Sequence, residues 1–226
     1  MTQYQVAPGK HYCYSGPYCV ILDLPVDKYL GLSVEQTRVF RELASGTPPE
    51  ALSERKIADE LIAAGLFCTG SPRAAAGFGV ASISRASSAA FSSPHVPFSI
   101  PSAKHTAAFF SAVSRTRSLR RRASFQALIE RVRNRRPQVP DADRAVPDET
   151  LIDFANLRTL TYTKRDECFF DSLALIEYLA TLRYFPNWVI GVATHPFMAH
   201  CWVQNGRRLL NDSVLRTRLY TPILVA

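Results

Sequence analysis

The sequence predicts an α+β protein in which a small winged-helix-like module precedes a larger domain of helices followed by an antiparallel sheet. Within residues 1–70, three short β-prone runs come before two helical segments. Within residues 104–226 the order is reversed, and helical segments come before β-prone runs. Between them, residues 71–103 are rich in Ser, Ala, Gly and Pro without a sustained period, which is typical of a linker.

The β-prone runs of the first module cover residues 12–14, 19–22 and 29–32. Residues 15–17, Ser-Gly-Pro, separate the first two runs. Because Gly and Pro favour tight turns, this tripeptide predicts a hairpin.

The two helices of the first module follow the third run. Ser33 and Gln36 fit a capping box, so the first helix is predicted to begin there and to end at Ala44, before Gly46. The second helix is predicted to begin near Ser53, because apolar residues then recur at helical spacing. These are Ile57, Leu61, Ile62 and Leu66.

The larger domain is predicted to begin with a basic helical lead-in. Its three helical segments are 125–132, 148–160 and 168–182. Its three β-prone runs are 188–192, 199–203 and 208–210. Asn205-Gly206 separates the last two runs, and this dipeptide predicts a second hairpin.

The formal net charge of +8 is concentrated in one segment. Residues 115–136 contain nine arginines and one glutamate. We interpret this segment as the solvated face of a basic helix, and a patch for a membrane surface or nucleic acid is the alternative. Neither end of the chain has the charge of a nucleic-acid-binding domain, so no nucleic-acid partner is expected.

Composition predicts a cytoplasmic location and free thiols. No apolar run approaches the roughly 18 residues that a membrane-spanning helix needs, and residues 1–5 lack the pattern of a secretory signal. The five cysteines are odd in number and scattered. No spacing typical of three metal ligands is visible, so no metal site is predicted. The lack of a long apolar run likewise predicts no membrane insertion.

Three residues of the larger domain are candidates for a nucleophilic site. Cys168 lies in the first turn of a predicted helix, where the helix dipole favours the thiolate. His200 lies on a predicted strand, and Asp212 follows the next strand, so the sheet can bring the two together. A nucleophile, a base and a residue that orients the base are the components of a papain-like or transglutaminase-like site.

Nearby side chains bear on the reactivity of Cys168. Three carboxylates would raise the pKa of its thiol, and a charged His200 is expected to offset them. They are Asp166, Glu167 and Asp171. Cys201, next to His200, competes for the role of nucleophile, but adjacent side chains of a strand point to opposite faces. We therefore interpret Cys201 as a core residue.

At these residues the sequence resembles the B proteins of lasso-peptide biosynthesis. Residues 165–175, Arg-Asp-Glu-Cys-Phe-Phe-Asp-Ser-Leu-Ala-Leu, resemble the nucleophile helix of that family. Residues 189–192 and 196–203 resemble its histidine strand, and residues 210–212 and 220–224 also fit. The amino-terminal module is similar to the small PqqD-like precursor-recognition element that many such proteins carry fused.

The resemblance implies that the first module binds the leader of a lasso precursor as an added strand. The third β-prone run would be the edge that receives this strand, and one face of the second helix would form the other wall. The expected leader-binding residues are Lys28, Tyr29, Leu30, Leu32, Ile57 and Leu61.

For the larger domain, the resemblance implies a transglutaminase-like cysteine peptidase that cuts the leader from the core peptide. Cys168 would attack the scissile carbonyl, His200 would act as base and then as acid, and Asp212 would orient the imidazole. The family also implies a partner, an ATP-using macrolactam synthetase on which cleavage depends. No phosphate-binding glycine loop is visible here, so we expect no bound cofactor in this chain and an ATP site on the partner.

Two other functions are open at this point. An acyl transferase with the same three residues would pass the acyl group to an amine instead of water. A non-catalytic leader-binding module would account for residues 1–70, but not for the Cys, His and Asp motifs together. Within the family interpretation, the basic residues 115–136 would contact an acidic patch of the partner.

Overall fold

The structure is a computed structural model that describes residues 4–47, 49, 51–69, 82–91, 98–136, 144–162 and 168–226. The chain divides into two compact units. The first comprises residues 1–81 with 194–196, and the second comprises residues 82–193 with 197–226. The division therefore falls inside the segment that composition assigns to a linker.

The described residues of the first unit form five strands and two helices. In chain order they are β1 Tyr4–Val6, β2 Lys10–Ser15, β3 Tyr18–Asp23, β4 Lys28–Leu32, α1 Val34–Ala44, α2 Leu52–Ala63 and β5 Phe67–Thr69. The strands β2, β3 and β4 form an antiparallel sheet in that order. The predicted hairpin is confirmed, because Ser15 pairs with Tyr18 across the turn. The strands β1 and β5 form a separate antiparallel pair, which the sequence pattern did not indicate.

The core of the first unit lies between this sheet and its helices. The predicted capping box at the start of α1 is confirmed: Ser33 Oγ accepts from the backbone N–H of Gln36, and the Gln36 side chain accepts from the N–H of Ser33. Such a cap contributes about 1 kcal/mol to helix stability. By fixing the residue at which α1 begins, the cap determines which side chains of α1 face the sheet. Those residues are Val39, Phe40 and Leu43, and the sheet residues that they meet are Cys19, Ile21 and Leu32.

The second unit is a five-stranded sheet with helices. Its elements are β6 Ser88–Ala89, α3 Ala103–Arg122, α4 Phe125–Arg135, α5 Asp148–Thr159, α6 Cys168–Thr181, β7 Asn187–Thr194, β8 Phe197–Asn205, β9 Arg208–Leu209, α7 Val214–Thr217 and β10 Thr221–Val225. The strand order is β10-β7-β8-β9-β6. The predicted second hairpin is confirmed, because Asn205 pairs with Arg208 and Gly206 adopts a φ of +57° at the turn.

Most of helix α6 is buried in the core of the second unit. Ten consecutive residues, from Phe170 to Leu179, are buried, and the helix packs against α3 and β8. Its sequence is correspondingly apolar on every side except at two acidic positions, Asp171 and Glu177. A helix that is apolar all round is a buried helix, and this burial fixes its first turn firmly against the sheet.

The basic segment 115–136 departs from the expectation of a solvated helix face. The carboxylate of Glu177 on α6 is fully buried and accepts hydrogen bonds from three arginines, Arg115 on α3 and Arg131 and Arg135 on α4. An unpaired carboxylate at this depth would be costly, so these arginines are internal counter-charges. The expectation is therefore wrong for these three residues, whereas Arg117 and its neighbours 120–122 are exposed.

The linker expectation for residues 71–103 is wrong for residues 82–91. Ser88 and Ala89 form β6, which pairs in parallel with β9, and the backbone N–H of Ala90 donates to Leu209 O at 2.8 Å. Ala86 is buried against Trp202. Backbone hydrogen bonds place little demand on side-chain type, so a Ser- and Ala-rich composition does not exclude a strand. Residues 70–81 and 92–97 lie outside the described residues.

Further along the same segment, Ser99 joins the second unit. Its hydroxyl donates to Asp153 on α5 at 2.8 Å, and His105 Nδ1 contacts the other oxygen of that carboxylate at 2.6 Å. Among the described ranges, no helix combines the length and the apolar character that a membrane span requires.

Candidate active site

Three different elements of the second unit carry the predicted site residues. Cys168 begins α6 and is half-exposed, while His200 lies in the buried part of β8. Asp212 follows β9, immediately before Ser213, whose side chain caps α7. The Asn205-Gly206 turn folds β9 back along β8, and this reversal returns the chain toward His200.

The structure brings Cys168, His200 and Asp212 together. His200 Nε2 hydrogen-bonds Asp212 Oδ2, and His200 and Cys168 are close enough that each shifts the pKa of the other. Because an imidazole has two ring nitrogens and Nε2 faces the carboxylate, Nδ1 is the nitrogen that faces the thiol. The second oxygen of Asp212 accepts from the backbone N–H of Ser213 at 2.7 Å, which holds the carboxylate in place.

Aromatic rings hold the His200 imidazole in position. The ring of Tyr220 lies 4.9 Å from it and that of Trp202 lies 6.1 Å from it, measured between centroids. Trp202 packs directly on Gly191 of β7, where a Cβ atom would lie 2.8 Å from the indole. Any side chain at position 191 would therefore displace the indole that lies beside His200.

Cys201 is buried, as the sequence predicts, but it is also part of the site. Its Sγ lies 3.7 Å from Cys168 Sγ and donates a hydrogen bond to it. The backbone N–H of Cys201 also acts on this sulfur and lowers the pKa of Cys168. The Cys168 sulfur thus lies against the backbone of β8. There it is close to both His200 and Cys201, although these two side chains lie on opposite faces of the strand. Strand alternation correctly separates Cys201 from His200 but does not reveal this third position.

These contacts favour a thiolate at Cys168. The thiol of Cys201 contributes most to lowering the pKa of Cys168; His200 and the backbone N–H of Cys201 add to it, and burial opposes them. For His200, burial lowers the pKa of the imidazole, but the hydrogen bonds to Asp212 and Cys168 outweigh it, so the net pKa is raised. The pair is therefore organised as thiolate and imidazolium.

Asp171 does not act on Cys168 as the sequence suggested. Its buried carboxylate accepts from Asn211 Nδ2 at 3.0 Å, from Tyr162 at 3.2 Å and from Arg158 at 3.5 Å. These donors compensate the charge of Asp171, so we assign this carboxylate a structural role. The expected influence of residues 166 and 167 lies outside the described residues.

Asn211 is a second residue that the sequence analysis missed. It donates to Asp171 on α6, and its Oδ1 accepts from the backbone N–H of Val203 on β8 at 2.9 Å. It therefore ties the nucleophile helix and the histidine strand to the segment that carries Asp212. The only signal for it was its place beside that aspartate.

The expected leader-binding residues lie in the first unit and do not share one exposed surface. Lys28, Tyr29, Leu30 and Leu32 lie on β4, at the edge of the three-stranded sheet, whereas Ile57 and Leu61 lie on α2. Leu32 and Leu61 are core residues, 4% and 3% exposed, while Leu30 is 43% exposed. Helix α2 packs against α1 and β5.

Within the described ranges, no group of three or more His, Cys, Asp or Glu residues is arranged to bind a metal ion. The family model of the transglutaminase-like superfamily matches residues 107–225, more than half of the chain. This match covers α4 to α7 and includes all three residues of the site. Comparisons with curated proteins and with solved structures yield no match. The chain belongs to the transglutaminase-like superfamily.

Proposed function

We propose that this protein is a cysteine peptidase that removes the leader from a lasso-peptide precursor in the cytoplasm. The observation that carries the proposal is the Asp212–His200 hydrogen bond beside the Cys168 thiol, within a transglutaminase-like domain. The superfamily includes both cysteine peptidases and transglutaminases, so its membership fits nucleophilic acyl chemistry. The lasso precursor as substrate rests on the resemblance of residues 165–175 and 196–203 to the lasso B proteins.

In the first half of the proposed reaction, the Cys168 thiolate attacks the carbonyl carbon at the leader–core junction. Backbone N–H groups at the start of α6, including that of Cys168, stabilise the oxyanion. His200 then gives its proton to the departing amine as the C–N bond breaks. The core peptide leaves with a free amino terminus, and the leader stays attached to Cys168 as a thioester.

In the second half, water releases the leader. Neutral His200 takes a proton from the water as its oxygen attacks the thioester carbonyl, and the C–S bond then breaks. The leader departs with a carboxylate, and the thiolate and imidazolium are restored. Asp212 orients the imidazole in both halves, because its carboxylate holds Nε2 and leaves Nδ1 toward the sulfur.

The first unit would bind the leader along β4. Edge strands present unpaired backbone groups that an extended peptide can use. Leu30 supports this role, since it lies on the same face as the core residue Leu32 yet is 43% exposed. An ATP-using macrolactam synthetase is the proposed partner, which would close the freed core and hold the ATP site.

The test is mass spectrometry of a precursor incubated with the protein, the synthetase and ATP. Hydrolysis predicts two fragments whose masses sum to that of the precursor plus one water. The Cys168→Ala variant should give none, whereas Cys68→Ala, which removes an exposed thiol of the first unit, should match the wild type. Cleavage by the Cys168→Ala variant would overturn the proposed mechanism.

The same experiment addresses the second candidate function. Transglutaminases belong to the superfamily, and an acyl transferase would use the same thioester. With a primary amine added, an acyl transferase would yield a leader whose mass has risen by that of the amine less one water. A leader with a free carboxylate at every amine concentration would exclude it.

A further inference from the structure

We propose that Cys168 and Cys201 form a reversible oxidation site, in which Cys201 resolves an oxidised Cys168 as an intramolecular disulfide. The inference goes beyond the proposed peptidase reaction, which uses only one thiol. It starts from the direct contact between the two sulfur atoms, which are 3.7 Å apart in the reduced protein.

The geometry suits disulfide formation. A disulfide is about 2.0 Å long, so the two sulfurs must approach by only about 1.7 Å. Cys168 occupies the first turn of α6 and Cys201 lies within β8, and these two elements pack directly on each other. Rotation about the Cα–Cβ bonds of the two cysteines moves their sulfur atoms over distances of this order.

The two cysteines differ in the way that an attacking and a resolving thiol should. Cys168 is half-exposed, and its neighbours lower the pKa of its thiol, so it is the sulfur that a small oxidant reaches first. Cys201 is 5% exposed and protonated in the reduced state, since its hydrogen is donated to Cys168. Burial therefore shields Cys201 from the oxidant, while Cys201 remains adjacent to the sulfenic acid that forms at Cys168.

The oxidant that we propose is a peroxide. The Cys168 thiolate attacks one peroxide oxygen and the O–O bond breaks, which yields a sulfenic acid and hydroxide. The hydroxide takes the proton of the His200 imidazolium and becomes water. The sulfur of Cys201 then attacks the sulfur of Cys168, an S–S bond forms and the S–O bond breaks. The departing hydroxide takes the proton from Cys201 and becomes water. Overall, two thiols and one hydrogen peroxide give one disulfide and two waters, and a dithiol reductant reverses the change.

The other cysteines provide an internal comparison. Cys13 and Cys19 lie near each other on β2 and β3, but Cys13 is opposite Val20 and so lies on the opposite sheet face from Cys19. Burial raises the pKa of each thiol to about 12. Cys68 is exposed but has no second sulfur beside it among the described residues. Only the 168–201 pair therefore combines access, ionisation and a neighbouring thiol.

The experiment is peptide mapping of the full-length protein after treatment with stoichiometric hydrogen peroxide. We expect a linked peptide pair containing Cys168 and Cys201, a mass lower by two hydrogens, and full reversal by dithiothreitol. With a second equivalent of peroxide, Cys168 in the Cys201→Ala and Cys201→Ser variants should instead progress to sulfinic acid, which dithiothreitol does not reverse. The Cys68→Ala variant should behave as the wild type.

Two results would overturn the proposal. One is that Cys168 in the wild type becomes sulfinic acid while Cys201 stays a free thiol. The other is that neither cysteine is modified under conditions that oxidise Cys68. Because the readout is the covalent state of two sulfurs, it is independent of whether the protein cleaves a lasso precursor. Use of both Ala and Ser at position 201 keeps the test valid if one variant folds poorly.

Discussion

At the scale of single residues, the Cys168 sulfur receives a hydrogen bond from the Cys201 thiol, and His200 and the backbone N–H of Cys201 further lower the pKa of Cys168. Hydrogen bonds to charged groups contribute about 1.5–3 kcal/mol, and 1.36 kcal/mol corresponds to about one pKa unit. Removing the side-chain donor in Cys201→Ala should therefore raise the pKa of Cys168 by about one to two units. Cys201→Ser keeps a donor and should stay near the wild type.

The measurement is the rate of iodoacetamide alkylation at Cys168 against pH, followed by peptide mapping. His200→Ala should move the midpoint in the same direction, since it removes both a donor and a positive charge. A midpoint that is identical in the wild type and in Cys201→Ala would show that the thiol at 201 does not stabilise the thiolate.

The pH profile of cleavage depends on the same pair. The pKa of Cys168 is lowered, so its thiolate remains populated below the usual thiol pKa of about 8.5. The pKa of His200 is raised, so its imidazolium remains populated above the usual imidazole pKa of about 6.5. The active ion pair should therefore be populated between the lowered pKa of Cys168 and the raised pKa of His200. We expect kcat/KM to be flat there, whereas a rate that climbs through pH 8.5 would indicate an ordinary thiol.

His200 and Asp212 should differ in how much they contribute to the rate. His200→Ala removes the general acid and base, which typically supplies about 10²–10⁴-fold. Asp212→Asn keeps the shape but can stabilise the wrong imidazole tautomer, so we expect a loss of similar size or smaller. Single-turnover cleavage rates measure both. Retention of the wild-type rate by His200→Ala would exclude it as the base.

At the scale of elements, the contact between β3 and β4 shows which backbone groups of the edge strand point outward. Thr37 Oγ1 accepts from the N–H of Cys19 at 2.8 Å and donates to Leu32 O at 3.5 Å. The Cys19–Leu32 pair therefore directs its backbone groups into the β3–β4 interface. Since these groups alternate along an antiparallel strand, the N–H of Gly31 points away from the sheet.

This direction defines a sharp test of strand addition. Gly31→Pro removes an outward donor without breaking the β3–β4 ladder, and it should weaken leader binding by about tenfold. Gly31→Ala retains the donor, and its Cβ would meet open space, so it should bind like the wild type. Fluorescence anisotropy with labelled leader and the full-length Cys168→Ala protein measures both affinities. Equal affinities would argue against β4 as the docking edge.

Glu177 is the feature that joins α6 to α3 and α4. Glu177→Gln leaves three arginines without their common counter-charge, and breaking a buried pair in this way costs about 3–5 kcal/mol. Glu130→Gln, at an exposed position on α4, should cost less than about 0.5 kcal/mol. Urea unfolding gives both free energies, and equal values for the two variants would show that the buried cluster does not stabilise the fold.

The same carboxylate should make stability sensitive to acid. Burial raises the pKa of Glu177, but Arg135 and Arg131 outweigh it and the net pKa is lowered. A folded-state pKa below the unfolded value means that this contribution is present above about pH 4.3 and is lost as pH falls through the folded value. The Glu177→Gln variant should lack this part of the acid dependence.

At the scale of the whole molecule, the segment 82–91 belongs to the folded second unit. Ala86→Asp would bury a charge beside Trp202 and Val189, and we expect it to lower the free energy of unfolding by at least about 2 kcal/mol. Ser87→Asp, at the exposed neighbouring position, should change it by less than about 0.5 kcal/mol. Thermal unfolding of the full-length variants distinguishes them. Equal melting temperatures for the two variants would indicate that residues 82–91 are a linker that does not stabilise the second unit.

The parts of the structure that the sequence predicts are those with local signals. The capping box at Ser33, the turn at 15–17 and Asn205-Gly206 act within four residues, so their geometry follows from the local chemistry. Cys168, His200 and Asp212 were found because each sits at a recognisable place on its element. The contacts of Cys201, Asn211 and Glu177 join residues far apart in sequence, and they depend on how the elements pack.

The short strand β6 has a further consequence for how copies of this protein behave toward one another. It covers the outer edge of β9, an edge that would otherwise present unpaired backbone groups. Uncovered edges of this kind are templates for pairing between chains and for aggregation. Proteolysis near residues 82–91 would therefore do more than separate two units. Loss of that segment would uncover the edge of β9, and the cleaved molecules should associate more readily than intact ones.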